Sequence, residues 1–264
     1  MAAAARDCGG PYRGEIRPVV ALYAIVLIVA LAPSAPAAWE DNHCVTCHDS
    51  ERLPISLGHS FEEWRASKHA SAGVGCEKCH GGDPTVSDAK TAHQGVLPAS
   101  ETGSLVSPKR LPQTCGACHT KELQAYAGTV HARQVAQHGR GATCLTCHGS
   151  MATSLPSPTE LSTRCGACHK KPVQAQAALA VMATARIRLY RTNRTLETAK
   201  AADPAWQADA MRRFHDLERT YRDVQLKWHT FDMDAVLRDA GALLKLTKLL
   251  DEETAVKTQT RPQQ

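Results

Sequence analysis

The apolar residues are spaced differently in successive parts of the chain. Residues 19–32 form one uninterrupted apolar run, and residues 38–172 hold too few apolar side chains for a conventional core. Residues 173–256 instead carry apolar positions at helical spacing, and residues 257–264 are expected to be a disordered tail. This pattern predicts a mainly α protein with extensive irregular structure and little sheet, which ends in a helical hairpin or bundle.

The helical part begins where Cys and Gly nearly vanish and Ala, Leu, Arg and Glu become common. Pro172 can start a helix that runs to about Lys200. Asp203 followed by Pro204 predicts a capped second helix, and Asp232 can cap a third. One apolar stripe along the second helix consists of Phe214, Leu217, Tyr221, Val224 and Trp228. Such a stripe is typical of a helix that packs against a core.

The start of the chain has the features of an export signal. Arg6, Arg13 and Arg17 precede the apolar run, and Ala35-Pro36-Ala37 after it fits the small-x-small pattern of a cleavage site. The run is shorter than the roughly 20 residues that a membrane-spanning helix needs. We therefore expect residues 1–37 to be a cleaved signal peptide and the protein to be periplasmic, without stable membrane insertion. An uncleaved N-terminal membrane anchor is the alternative.

Cysteine is frequent, with 11 in the chain, and its spacing indicates the chemistry. Cys8 lies in the signal, and the other ten cysteines fall in five copies of C-x-x-C-H. The copies are Cys44-Val45-Thr46-Cys47-His48, Cys76-Glu77-Lys78-Cys79-His80, Cys115-Gly116-Ala117-Cys118-His119, Cys144-Leu145-Thr146-Cys147-His148 and Cys165-Gly166-Ala167-Cys168-His169. C-x-x-C-H attaches c-type haem, because its thiols form thioethers and its imidazole becomes the proximal iron ligand. The sequence therefore predicts five c-type haems.

Three other kinds of site explain the five motifs less well. Zinc can bind paired C-x-x-C units, but it gives no reason for a histidine directly after every second cysteine. A disulfide framework suits an exported protein, yet it does not explain five identical spacings. A thioredoxin-like site needs one C-x-x-C in a βαβ setting, not five in sequence rich in Gly and Pro.

Dense cofactor binding also accounts for the weak apolar pattern of residues 38–172. The porphyrins are expected to supply the buried apolar surface that the side chains lack. Residues 38–172 should then form a haem-cored domain that stays unfolded without its cofactors. The predicted order is a signal peptide over 1–37, this domain, a helical domain over 173–256, and the tail.

A duplicated element lies before two of the motifs. Trp64-Arg65-Ala66-Ser67-Lys68-His69-Ala70 precedes Cys76, and Tyr126-Ala127-Gly128-Thr129-Val130-His131-Ala132 precedes Cys144. These elements and the repeated Cys-Gly-Ala-Cys-His resemble the periplasmic multihaem cytochromes built from paired C-x-x-C-H units. Cys79-His80-Gly81-Gly82-Asp83-Pro84-Thr85 adds to the likeness, and Trp228-His229-Thr230-Phe231-Asp232 is similar to a C-terminal helical segment of some members.

The resemblance implies that His69 and His131 are distal iron ligands, on the haem face opposite the proximal histidine. Five proximal sites create a demand for sixth ligands, and the chain has 13 His but only 5 Met. We therefore expect bis-histidine ligation, with His59, His93 and His229 as the further distal candidates. The histidines left over are His43, His138 and His215.

Bis-histidine ligation suits electron transfer, whereas catalysis on a small molecule needs an open iron position. We expect an exported pentahaem electron carrier in anaerobic or respiratory electron transfer. Its redox partners would be a membrane quinol-oxidising cytochrome or a reductase. A larger cytochrome complex that contains this chain is a further possibility. The alternatives are a terminal reductase or oxidase of a small nitrogen or sulfur species, and a structural haem subunit. The net charge of +5, without a block of Lys or Arg, does not indicate nucleic-acid binding.

Overall fold

A computed structural model gives the fold of most of the chain after the predicted signal. It describes residues 39, 41–49, 59–151, 157–170, 172–198 and 203–259. The predicted signal peptide and residues 260–264 of the predicted tail lie outside these ranges. The chain divides into a unit over Met1–Glu40 and a unit over Asp41–Gln264, and the second unit is the one described below.

The described residues form helices, turns and irregular segments, and they contain no strand. This confirms the prediction of a mainly α protein with extensive irregular structure. Among the same residues, no helix combines the length and the apolarity that crossing a membrane would require.

The first part of the unit contains short helices separated by turns. They are α1 His43–His48, α2 Phe61–Arg65, α3 Lys68–Ser71, α4 Glu77–His80, α5 Ala89–Ala92, α6 Leu111–Gly116, α7 Thr120–Ala127, α8 Val130–His138, α9 Cys144–His148 and α10 Pro158–Gly166. Side-chain caps begin several of them, as where Ser60 Oγ accepts a hydrogen bond from Glu63 N at 3.1 Å. The described part of this region buries few apolar side chains, which are Val45, Trp64, Ala70, Leu111, Pro112, Tyr126 and Val135.

The second part consists of three long packed helices, α11 Val173–Thr198, α12 Pro204–Trp228 and α13 Met233–Gln259. Asp203 caps α12, because its Oδ1 accepts hydrogen bonds from Ala205 N and Trp206 N, both at 3.0 Å. The last helix continues to Gln259 and so includes the first residues of the predicted tail.

The apolar core of the unit lies within this three-helix arrangement. Leu196, Val236 and Leu243 are at most 1% exposed. Of the predicted stripe on α12, Phe214, Leu217 and Val224 are buried, and Tyr221 and Trp228 are partly buried against the same cluster. All members of the cluster come from the three long helices.

An ion pair between α12 and α13 adds to the packing of the long helices. Glu253 accepts two hydrogen bonds from the Arg213 guanidinium, at 2.8 and 3.0 Å. It also accepts one from Trp206 Nε1 at 2.6 Å. These hydrogen bonds, with that of Arg213 as the largest cause, lower the pKa of Glu253 to about 2.

Glu253→Gln is expected to lower the stability of the three-helix arrangement at neutral pH by about 1 kcal/mol, since solvent screens a pair this exposed. A depressed pKa means that the stabilisation is present above the ordinary carboxyl pKa of 4.5 and is lost as pH falls towards 2. The difference from the native chain should therefore vanish in acid. Urea unfolding followed by helical circular dichroism at several pH values measures it. Glu252→Gln is the control, because the pair of Glu252 with Lys248 is exposed to solvent on both sides. A deficit of Glu253→Gln that is as large at pH 2 as at neutral pH contradicts the prediction.

Candidate functional site

Each C-x-x-C-H forms one helical turn. His80 N donates a hydrogen bond to Cys76 O at 2.9 Å, and His119 N donates to Cys115 O at 3.0 Å. His169 N donates to Cys165 O at 2.7 Å in the same way. Residues at i, i+3 and i+4 of a helical turn share a face. The two thiols and the imidazole of a motif therefore lie on the same side of the backbone, which attachment to one planar ring system requires.

Each proximal imidazole faces an imidazole from a distant part of the chain. We number the five pairs by their motif: site 1 is His48 with His93, site 2 is His80 with His59, site 3 is His119 with His69, site 4 is His148 with His229 and site 5 is His169 with His131. The distances between ring centroids are 6.0, 5.9, 6.2, 6.1 and 5.9 Å in that order. The five facing histidines are the five distal candidates from the sequence.

These distances fit an iron ion between the two rings of each pair. Two metal–nitrogen bonds of about 2 Å and two ring radii of about 1 Å separate the centroids of axial imidazoles by roughly 6 Å. The two rings of each pair are thus spaced for metal ligation from two sides. Among the described residues, no group of three or more His, Cys, Asp or Glu is placed to hold a metal ion, as a structural zinc site would need.

The surroundings favour the uncharged form of one imidazole in each pair. Burial lowers the pKa of that ring, and the facing ring lowers it further. The rings affected are His48, His69, His80, His131 and His148. Neutral imidazole is the form that binds a metal ion.

Backbone carbonyls orient three of the distal rings. His93 Nδ1 donates to Ala89 O at 2.7 Å, and His229 Nδ1 donates to Gln225 O at 3.1 Å. His59 Nδ1 donates to Ser60 O at 3.3 Å. A hydrogen bond at Nδ1 fixes the tautomer in which Nε2 carries the free lone pair. The Nε2 atoms of these rings are therefore the atoms available to iron.

The first copy of the duplicated element places His69. Trp64 is buried, and its Nε1 donates to Val74 O at 3.1 Å, which folds the chain back just before Cys76. Ser67 caps α3 by accepting a hydrogen bond from Ala70 N at 3.2 Å. The cap and the anchored indole fix the short helix that carries His69.

The second copy repeats these contacts around His131. Tyr126 is buried, and its hydroxyl donates to Ala142 O at 2.8 Å, two residues before Cys144. Thr129 Oγ1 accepts a hydrogen bond from Ala132 N at 3.0 Å and so caps α8. In both copies of the repeat, the aromatic residue and the Ser or Thr thus hold the helix that carries the histidine. Their repetition in the sequence was the signal that identified these positions.

The three remaining histidines are placed differently. His138 is exposed in the last turn of α8, and His215 is exposed on α12 beside Phe214. His43 lies directly before the first motif, and its backbone N–H donates to Pro84 O at 2.7 Å. In the part of the chain that the structure describes, none of these three rings pairs with a proximal imidazole.

The motifs adjoin one another in the order of the sequence. Asn42, at the start of α1, donates to Glu77 of α4 at 3.3 Å, which joins motif 1 to motif 2. Helix α6 contacts both α4 and α9, so motif 3 lies beside motifs 2 and 4. Helix α9 also contacts α10, where Arg164 donates to Cys147 O, which joins motif 4 to motif 5.

The cysteines of neighbouring motifs approach each other along this row. A hydrogen bond between the Cys115 and Cys144 thiols lowers the pKa of Cys144 and raises that of Cys115. All ten motif cysteines are free thiols in the structure. They are therefore available for thioether bonds rather than used in disulfides.

Known proteins resemble part of the chain. It is 32% identical over 91 residues to the C-type polyheme cytochrome OmcC of Geobacter sulfurreducens. The matched segment covers 34% of this chain and 11% of that protein. It is 31% identical over 130 residues to the C-type polyheme cytochrome OmcB of the same species. This second matched segment covers 46% of this chain and 15% of that protein. The chain thus spans a small fraction of these relatives. No family description and no solved structure matches it.

Proposed function

We propose that this chain is an exported pentahaem c-type cytochrome that relays electrons between redox partners. The observation that carries the proposal is the set of five histidine pairs, each about 6 Å apart and each built on one C-x-x-C-H. The partial similarity to polyheme c-type cytochromes supports the same cofactor. Bound haem supplies one-electron redox chemistry.

The chain's own residues hold the cofactors and close the iron positions. The paired thiols of a motif would anchor one haem, and the proximal and distal imidazoles of that site would both bind its iron. A site with two imidazoles leaves no position for a substrate, which favours a carrier over a reductase. The adjoining motifs arrange the five sites in one row, with site 1 and site 5 at its ends.

We propose that redox partners approach these two ends. A partner at one end would be a membrane quinol-oxidising cytochrome or a reductase, and the periplasm is the compartment that the N-terminal signal features support. The distant relatives are much longer polyheme proteins, which is compatible with assembly into a larger cytochrome complex.

Intact mass and ligand binding of the purified exported protein test this proposal. The mass should exceed that of a polypeptide beginning near Ala38 by about 0.6 kDa for each motif, five times in all. The reduced protein should bind no carbon monoxide and should pass electrons to a soluble c-type cytochrome. Free motif thiols would contradict the haem number. Stoichiometric carbon monoxide binding at one site would contradict the carrier and favour the reductase.

A further inference from the structure

The turn between α12 and α13 contains a strained residue. Phe231 has a φ of 57° and is the one non-glycine residue with positive φ in the part of the chain that the structure describes. Its N–H donates to Trp228 O at 3.0 Å, and the next residue, Asp232, caps α13 through a hydrogen bond from Ala235 N at 3.0 Å. Glycine adopts this backbone conformation without a steric penalty, whereas a residue with a Cβ does not. The turn alone would favour glycine at this position, so the presence of phenylalanine indicates a further role for its side chain.

The reason lies in what the Phe231 ring touches. Its centroid is 4.5 Å from that of His131, with the two ring planes at 80°. Edge-to-face contact is one of the two favourable geometries of an aromatic pair. His131 in turn faces His169 at site 5, with an angle of 77° between their planes. The same turn carries His229, which faces His148 at site 4 with an angle of 14°.

We propose that Phe231 is a positioning residue that holds the His131 imidazole nearly perpendicular to the His169 imidazole. An imidazole bound to iron can rotate about the bond that links them, and neither the thioethers nor the metal prevents that rotation. The edge-to-face contact with Phe231 opposes rotation of the His131 ring. The strained backbone of the turn places the Phe231 ring in this contact. The inference rests on the proposed function, because the plane of His131 matters only when it is an iron ligand.

Electron paramagnetic resonance reads the angle between axial imidazoles directly. Low-spin ferric iron gives a strongly axial signal with a large maximal g value when the two planes are nearly perpendicular. It gives a rhombic signal when they are nearly parallel. The angles of 74° at site 3 and 77° at site 5 predict two large-g signals, and 14° at site 4 predicts a rhombic one.

The decisive variant is Phe231→Gly in the haem-loaded full chain. All five sites should stay low-spin, but one of the two large-g signals should be lost in favour of a more rhombic one. The thermal midpoint should change little, since glycine relieves the strained φ while the ring contact with His131 is lost. Phe231→Tyr keeps the ring contact and should retain both large-g signals.

A matched control separates ring positioning from loosening of the helices. Phe214 is 4% exposed in the core of the three-helix arrangement and contacts His215 rather than a facing pair. Phe214→Leu should lower the thermal midpoint and leave both large-g signals in place. Both signals intact in Phe231→Gly would overturn the inference, as would a native spectrum with five low-spin sites but no large-g signal. A native spectrum with fewer than five low-spin sites would instead overturn the proposed function, before any variant is made.

Discussion

Replacing His69 with alanine is expected to leave five covalent haems and to convert one of them to the high-spin state. Attachment uses the C-x-x-C-H residues, and His69 lies outside all five motifs. It faces His119 with ring centroids 6.2 Å apart, so its removal takes one axial imidazole from site 3. The opened iron should bind one carbon monoxide or cyanide per molecule and shift to a higher potential. Visible and resonance spectra and a ligand titration measure these changes.

His131→Ala should give the same change at site 5, where His131 faces His169. His138→Ala is the matched control, because His138 belongs to the same helix but is exposed. It should leave every site low-spin. A fully low-spin spectrum in either ligand variant would make the assignment wrong and would direct the search to His43, His138 or His215.

The local geometry of the sites follows from the sequence, whereas the pairing of the histidines does not. All five C-x-x-C-H motifs form one helical turn, and in motifs 2, 3 and 5 the histidine N–H donates to the carbonyl of the first cysteine. His69, by contrast, lies between motifs 1 and 2 and faces the histidine of motif 3. His93 lies after motif 2 and faces the histidine of motif 1. Such crossings depend on how distant segments pack, and no spacing along the chain encodes them.

In the three long helices, too, local features were predictable from the sequence and long-range contacts were not. The beginning of α12 was predictable, since Asp203 is a favourable cap residue and Pro204 fits the first turn of a helix. The role of the turn after α12 was not predictable, although Trp228-His229-Thr230-Phe231-Asp232 resembles a segment of some multihaem cytochromes. The segment has no glycine to indicate a left-handed residue, and the partner of Phe231 is His131, a hundred residues earlier in the chain. A strained aromatic residue becomes visible only when its backbone and its contact are seen together.

Removing the cofactors is expected to divide the second unit into an unfolded part and a folded part. In a chain whose ten motif cysteines are replaced by serine, the short helices α1 to α10 should lose their structure, and the long helices α11 to α13 should keep theirs. The buried cluster consists only of residues on α11, α12 and α13, so its packing needs no haem. Roughly 80 residues with such a core are enough for a cooperative fold.

The short helices lack this source of stability. None of α1 to α10 is longer than nine residues, and helices of that length are marginal in water without tertiary packing. Amide hydrogen exchange should therefore show protection in the three long helices and fast exchange in the described residues before them. The haem-loaded protein, in which both parts should be protected, is the control. Protection of α3 and α8 in the serine variant would mean that Trp64 and Tyr126 fold their elements unaided, and the haem would then bind to a preformed site rather than create it.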